Sequence, residues 1–374
     1  MKGYQFEDTQ GTFHLKKAEN ISYLYFPIAG EAGLKSSFTP NLGGDAKIDQ
    51  NTFLLEPVSA ENLVNNRNSR NFWCNVKGIG SWSLTGHSAE ELSKKFTEMQ
   101  DDSEVTAGFM WQKTTRESKK YQLRGEILSF IPVDKNVEIM LVTITNTGRM
   151  AQTVTPTAAI PLYGRSADNI RDHRHVTSLL HRIETTDTGV LVTPTLSFDE
   201  RGHQVNHMTY YCVGWSGNGE KPVDFYPTAE DFVGEGGNFE RPYAIVKNAE
   251  GVKAGTKIEG LEAVGGLHFS EITLEPEEEC SYLIFTGITE DIQEIRNLSK
   301  TYTTREKVLE ELEKTKAYWQ EKVNVAYHTG DSDFNQFMHW VSFQPILRRI
   351  YGCSFLPHHD YGKGGRGWRD LWQD

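Results

Sequence analysis

Val137-Glu138-Ile139-Met140-Leu141-Val142-Thr143-Ile144-Thr145, then Asn146-Thr147-Gly148, then Gln152-Thr153-Val154-Thr155-Pro156-Thr157 is the stretch on which the fold reading turns. Both flanking runs are rich in β-branched residues, which fit the pleated surface of a sheet. The Asn-Thr-Gly segment between them has turn chemistry, so the stretch predicts two strands joined as a hairpin.

The same texture extends outward. Ser22 to Pro27, Asn71 to Val76, Thr209 to Trp215, His268 to Leu274 and Ser281 to Phe285 read as further strands, and Gly234 to Asn238 reads as a surface loop. Many short strands with few helical patterns between them point to a β-sandwich. One helix is expected from Ser88 through Met99, with Glu90, Glu91, Lys94 and Lys95 on its exposed face. The pattern changes after Tyr302: Thr303 and Glu306 have capping-box spacing, and Val308, Leu309, Leu312, Trp319 and Val323 recur at helical intervals. A second helix is expected near Asp331 or Ser332, carrying Phe334, Phe337, Met338, Val341, Ile346 and Leu347 inward, with Pro345 kinking or splitting it. The expected division is a sandwich over 1–300, a helical linker over 301–330 and the start of a helical domain over 331–374.

At 374 residues the chain can bury a large core, and its net charge of -12 argues against nucleic-acid or anionic-membrane partners. No apolar run reaches membrane-spanning length, and the first residues lack an apolar signal core, so a cytoplasmic location is expected. Cys74, Cys212, Cys280 and Cys353 share no metal-ligand or redox spacing and read as buried thiols of a reducing compartment.

Recognition chemistry concentrates in Gly364-Gly365-Arg366-Gly367-Trp368-Arg369-Asp370-Leu371-Trp372-Gln373-Asp374. Indoles stack on sugar faces, guanidiniums donate paired hydrogen bonds, and the carboxylates and amide accept them from hydroxyls. Surface ion pairs on an amphipathic helix start are the competing reading. A second polar run, Asn169 to Val176, offers Arg171, Arg174 and His175 as sugar or phosphate contacts, or as a solvated charge cluster. His358-His359-Asp360 lacks a third ligand at metal-site spacing, so no metal is expected.

The segment Phe355-Leu356-Pro357-His358-His359-Asp360-Tyr361-Gly362-Lys363, followed by Gly-Gly-Arg-Gly-Trp-Arg-Asp-Leu-Trp-Gln-Asp, resembles the first active-site loop of glycoside hydrolase family 94. Within that family of inverting glycoside phosphorylases, the likeness is to members acting on β-1,2-oligoglucans. It extends over nearly the whole chain and is also visible from Tyr25-Phe26-Pro27 through Trp73. It implies a mutarotase-like β-sandwich, a helical linker and an (α/α)6 barrel, of which this chain reaches only the first helix and loop. It further implies that Arg369 and Asp374 bind sugar hydroxyls, with Trp368, Asp370 and Gln373 in support, and that inorganic phosphate is co-substrate with no cofactor. The acid and the phosphate site of the family lie further downstream. The chain therefore reads as the N-terminal part of a larger enzyme, inactive alone, whose partners are a β-glucan oligosaccharide, phosphate and the missing barrel, as continuation or second chain. Two alternatives stand beside this: the phosphorylase-like domain of a cyclic β-1,2-glucan synthase or a related glycosidase, and a non-catalytic carbohydrate-binding or interaction module.

Overall fold

The strand Val137–Asn146 is buried along almost its whole length because both of its faces are covered. Met140, Val142 and Ile144 face the main core between sheets, whereas Val137, Ile139 and Leu141 lie under helices. The computed structural model describes residues 3–21, 24–59, 63, 69–172, 174–199 and 202–352, with the backbone alone of Arg171, Arg174 and Asp199.

Val137–Asn146 is central in an eleven-stranded antiparallel sheet, between Leu123–Phe130 and Glu279–Thr289. A six-stranded sheet built around Gln152–Leu162 faces it, with Asn71–Val76 on one side and Ala263–His268 on the other. A four-stranded sheet, Phe26–Ala29, Lys35–Phe38, Gly44–Asp49 and Thr52–Leu55, joins the same core through Phe26, Ile28, Phe38, Leu54 and Leu55. The expected mainly β sandwich is what the chain forms.

The hairpin at Asn146-Thr147-Gly148 is not. Both strands exist, but they belong to different sheets and do not pair. Each already has a neighbour on either side, so the connection arches across the core instead of folding back. Buried Asn146 holds the arch: its Nδ2 donates to Met150 O at 2.8 Å and to Leu274 O at 2.9 Å, and its Oδ1 accepts from Gly148 N at 2.9 Å. His268 to Leu274 is likewise two strands, Ala263–His268 and Ile272–Leu274, each on a different part of Gln152–Leu162.

The expected Ser88–Met99 helix is a single turn, Ala89–Ser93, capped by the Ser88 side chain. Glu91 is buried rather than exposed. Its Oε1 accepts the Asp101 amide at 2.7 Å and lies 3.5 Å from Nη1 of buried Arg116. The need to compensate that buried cation outweighs the amphipathic pattern.

Helix Ile292–Thr301 and helix Arg305–Lys322 cover the outer face of the large sheet through Ile295, Leu298, Val308 and Leu312. Thr304, not Thr303, precedes the second of these, and its side chain caps no amide. Helix Ser332–Tyr351, capped by Asp331, runs through Pro345 as one element, so the proline does not split it. Its inward residues are Trp340, Phe343 and Leu347, packed on Ala29, Phe109, Met110 and Trp319, and buried Gln336, whose Oε1 accepts from Gly11 N at 3.0 Å. Phe334, Phe337 and Val341, expected inside, are exposed. Periodicity assigned an apolar stripe to this helix but could not say which of two apolar sides meets the sandwich.

Candidate functional site

Beyond Leu162 the chain leaves the six-stranded sheet and builds a platform of short turns: Ala167–Arg171, Arg174–Thr177 and Ser178–Leu180. Gly164, at φ 60, makes the entry turn that a side-chain-bearing residue would resist. Tyr163 N donates to Leu54 O at 2.8 Å, Phe53 N to Arg165 O at 3.0 Å and Ala167 N to Gln50 O at 2.8 Å, which fastens the start of the platform to the four-stranded sheet. Phe53, Tyr163 and Ala167 form a small apolar cluster beneath it. Asn169 Nδ2 donates to Asp172 Oδ2 at 3.0 Å and closes the first turn.

Two buried polar side chains support the platform. Arg165 Nη2 donates to Glu262 Oε1 at 2.9 Å, and its guanidinium lies over the Tyr163 ring at 5.0 Å, but its Nε and Nη1 have no partner. His181 Nδ1 is 3.2 Å from Leu261 O, which makes it the protonated nitrogen, and the ring also faces the Tyr163 backbone. Burial, reinforced by the positive charge of Arg165, pushes the imidazole down to about 3, so it is neutral at physiological pH. An imidazole so hard to protonate is a poor general base. At 0% and 4% exposed, His181 and Arg165 hold the platform from beneath and are closed to a substrate.

The other conspicuous constellation is Asp224, His268 and Tyr226. His268 Nδ1 is 2.7 Å from Asp224 Oδ1 and 3.4 Å from the Tyr226 hydroxyl, and Lys253 Nζ is 3.8 Å from Asp224 Oδ2. Asp224 is 3% and His268 7% exposed, so this base-and-orienter geometry is closed to a substrate and acts within the sheet. Among the described residues no group of three or more His, Cys, Asp or Glu side chains is gathered to hold a metal ion, and no helix is long and apolar enough to cross a membrane.

Of the residues singled out in the sequence, Arg171 ends the first turn of the platform, and Arg174 and His175 open its short helix. The fold thus brings the three backbones together on one surface, where His175 is exposed alongside Val176 and Leu179. Arg366, Trp368, Arg369, Asp370, Gln373 and Asp374 lie outside the described residues, as do His358, His359, Asp360 and Cys353. Arg165, His181 and Glu262 escaped the sequence reading because nothing in one-dimensional charge distinguishes a buried arginine from a solvated one. The only local signal was the glycine before Arg165.

The family model for the glycosyl hydrolase 94 supersandwich domain matches residues 55–305, more than half of the chain. No curated protein matches the chain. Among solved structures, a bacterial glucoamylase complexed with acarbose aligns with 90% of this chain and 41% of its own, at 10% identity and TM-score 0.42. A GH92 α-mannosidase of Bacteroides thetaiotaomicron aligns over 88% of this chain and 38% of its own, at 11% identity and TM-score 0.42. A putative aldose 1-epimerase of Escherichia coli K12 aligns over 71% of this chain and 98% of its own, at 10% identity and TM-score 0.36. The chain therefore spans well under half the length of the first and second of these enzymes. Its match over residues 55–305 places it in the glycosyl hydrolase 94 family, whose supersandwich domain it carries.

Proposed function

We propose that the chain is the N-terminal portion of an inverting glycoside phosphorylase that cleaves β-glucosides, specifically β-1,2-oligoglucans, to α-glucose 1-phosphate. The observation that carries this is the supersandwich match over residues 55–305, followed by a helix, Ser332–Tyr351, that leads towards the Arg369-Asp370-x-x-Gln373-Asp374 core. The division proposed is a sandwich over 1–300, a helical linker over 301–330 and the start of a barrel over 331–374. The exposed Phe334, Phe337 and Val341 are the face on which further barrel helices would pack.

In the reaction, a phosphate oxygen bonds to the anomeric carbon from the side opposite the leaving group while the glycosidic C–O bond breaks. The departing oxygen takes a proton from an acid. Phosphate, already anionic, needs no base to activate it, whereas inverting hydrolysis does. Arg369 and Asp374 would hold hydroxyls of the sugar next to the scissile bond, with Trp368, Asp370 and Gln373 orienting them. Arg171, Arg174 and His175 would approach from the sandwich platform. No residue of this chain is assigned as the acid or as a phosphate ligand, so the chain alone is expected to be inactive. The reaction needs no cofactor or metal, and a cytoplasmic site of action fits a pool of intracellular phosphate.

Calorimetric titration of the chain with β-1,2-oligoglucan tests the sugar contacts. Arg369→Ala and Asp374→Asn should each weaken binding at least tenfold while leaving the unfolding midpoint of the sandwich unchanged. Undiminished binding in both variants removes these residues from the sugar site.

A further inference from the structure

Apolar packing of Phe343 and Leu347 docks helix Ser332–Tyr351 on the sandwich, but such contacts are non-directional. The last turn of the helix carries directional ones, all to the hairpin of strands Phe26–Ala29 and Lys35–Phe38. The Arg349 guanidinium donates to both carboxylate oxygens of Glu31, and Lys35 Nζ donates to Ile350 O at 3.0 Å. The Tyr351 hydroxyl lies 2.8 Å from Ile28 O and 2.7 Å from Ser36 O. Ile28 and Ser36 are register partners, so the one phenolic proton is shared between carbonyls of directly opposed residues. Burial pushes the phenol well above its ordinary range and keeps it a donor at physiological pH.

The grip is rigid on the sandwich side. Gly30 N donates to Leu34 O at 3.0 Å, Glu31 N to Val133 O at 2.7 Å and Leu34 N to Asn136 Oδ1 at 2.9 Å, which binds the hairpin turn to the loop before Val137–Asn146. A Cβ on Gly30 would lie 2.6 Å from Pro132 O, so only glycine allows that approach. Ser36 also donates through Oγ to Glu138, which pairs with Arg70. One residue thus links the end of the helix to a fully buried ion pair.

On the helix side, successive residues turn by about 100°, so Arg349 and Tyr351 project roughly 200° apart. Contacts on both flanks fix the rotation of the helix about its axis. Lys35 fixes its height, and the ammonium meets the negative end of the helix dipole. Gly352 N donates to Arg348 O at 2.9 Å and, at φ 83, turns the chain out of the helix.

We infer that Tyr351, aided by Lys35, is a positioning residue for sugar binding, acting through Arg369 and Asp374 by fixing where and in which direction the chain leaves the helix towards them. The assignment rests on the sugar contacts proposed for those two residues. Each orientation removed from the starting point at Gly352 is one fewer to be lost when the sugar is bound.

The test is calorimetric titration with β-1,2-oligoglucan, well below the unfolding midpoint, of the wild-type chain, Tyr351→Phe, Arg369→Lys and the double variant. Tyr351→Phe keeps the ring and removes only the hydroxyl. The expected result is a Kd raised at least about fivefold by Tyr351→Phe with the number of sites per chain unchanged, and a double variant weakened by less than the product of the two single effects. A hydroxyl with a merely structural role would lower the unfolding midpoint or the number of competent sites and leave Kd alone. An unchanged Kd, or effects that simply multiply, overturns the assignment while the sugar contacts stand. A wild-type chain that binds no oligoglucan overturns the sugar contacts and the assignment together, so the two failures are told apart. Should Tyr351→Phe not fold, the same titrations on Lys35→Met decide the matter.

Discussion

Glu138→Leu is the substitution whose cost the structure defines most sharply. Arg70 and Glu138 are both 0% exposed, with Arg70 Nε 2.5 Å from Glu138 Oε1 and Nη2 3.2 Å from Oε2. The remaining donors of Arg70 go to Leu42 O and Gly44 O, both at 3.3 Å, and to Asp45 O at 3.1 Å, while Ser36 Oγ donates to Glu138 Oε2. All five guanidinium N–H groups are therefore used. The network joins three sheets: Arg70 precedes Asn71–Val76, Glu138 lies on Val137–Asn146, and Ser36 lies on Lys35–Phe38. Removing the carboxylate leaves a cation sealed in the core, which costs about 3–5 kcal/mol. Removing both charges with apolar residues of similar size leaves no such penalty, and buried pairs replaced in this way are often near neutral. The assay is urea unfolding of wild type, Glu138→Leu, Arg70→Met and the double variant, followed by tryptophan fluorescence. The single variants should each lose several kcal/mol, and the double variant should recover most of that loss, a strongly non-additive cycle. Single variants within about 1 kcal/mol of wild type, or a double variant whose loss is the sum of the singles, would refute the reasoning.

Other expectations follow from individual groups. His181 has a folded-state pKa of about 3, below the ordinary value, so the unfolded chain takes up its proton first. Its penalty is absent above about pH 6.5 and grows as pH falls towards 3, with a slope of up to ~1.4 kcal/mol per pH unit; His181→Asn should flatten the acid limb of the stability profile in that window. Phe343→Ala, at a residue 0% exposed between helix Ser332–Tyr351 and Phe109, should cost about 3–5 kcal/mol of helix docking and expose the helix to limited proteolysis. The bidentate Glu31–Arg349 pair, at 2.9 and 2.7 Å, ties the same helix to the sandwich from a solvent-exposed position, so Glu31→Gln should cost less than about 1 kcal/mol and lose its effect in high salt.

Sheet composition was legible in the residues, whereas sheet membership was not. The β-branched runs at Val137–Asn146 and Gln152–Leu162 announce strands, but local turn chemistry at Asn146-Thr147-Gly148 is compatible with either a hairpin or an arch. The choice rests on partners more than a hundred residues away, among them Glu279–Thr289 and Ala263–His268. Helix starts were readable from Asp331 and its neighbours because capping is local. Burial of Glu91 and exposure of Phe334, Phe337 and Val341 were not, because each depends on what the tertiary fold sets opposite. The candidate site divides similarly. The polar run with Arg171, Arg174 and His175 was visible in one dimension, but Arg165 and His181 beneath it become distinctive only when their burial is seen.

The central claim is that this sandwich serves phosphorolysis. Its most direct test supplies the chain with a family barrel in one polypeptide, adds β-1,2-oligoglucan with or without inorganic phosphate, and follows products by ³¹P and ¹H NMR. The account predicts α-glucose 1-phosphate forming only when phosphate is present, with little free glucose. Free glucose released at the same rate without phosphate would contradict it and make the protein a hydrolase.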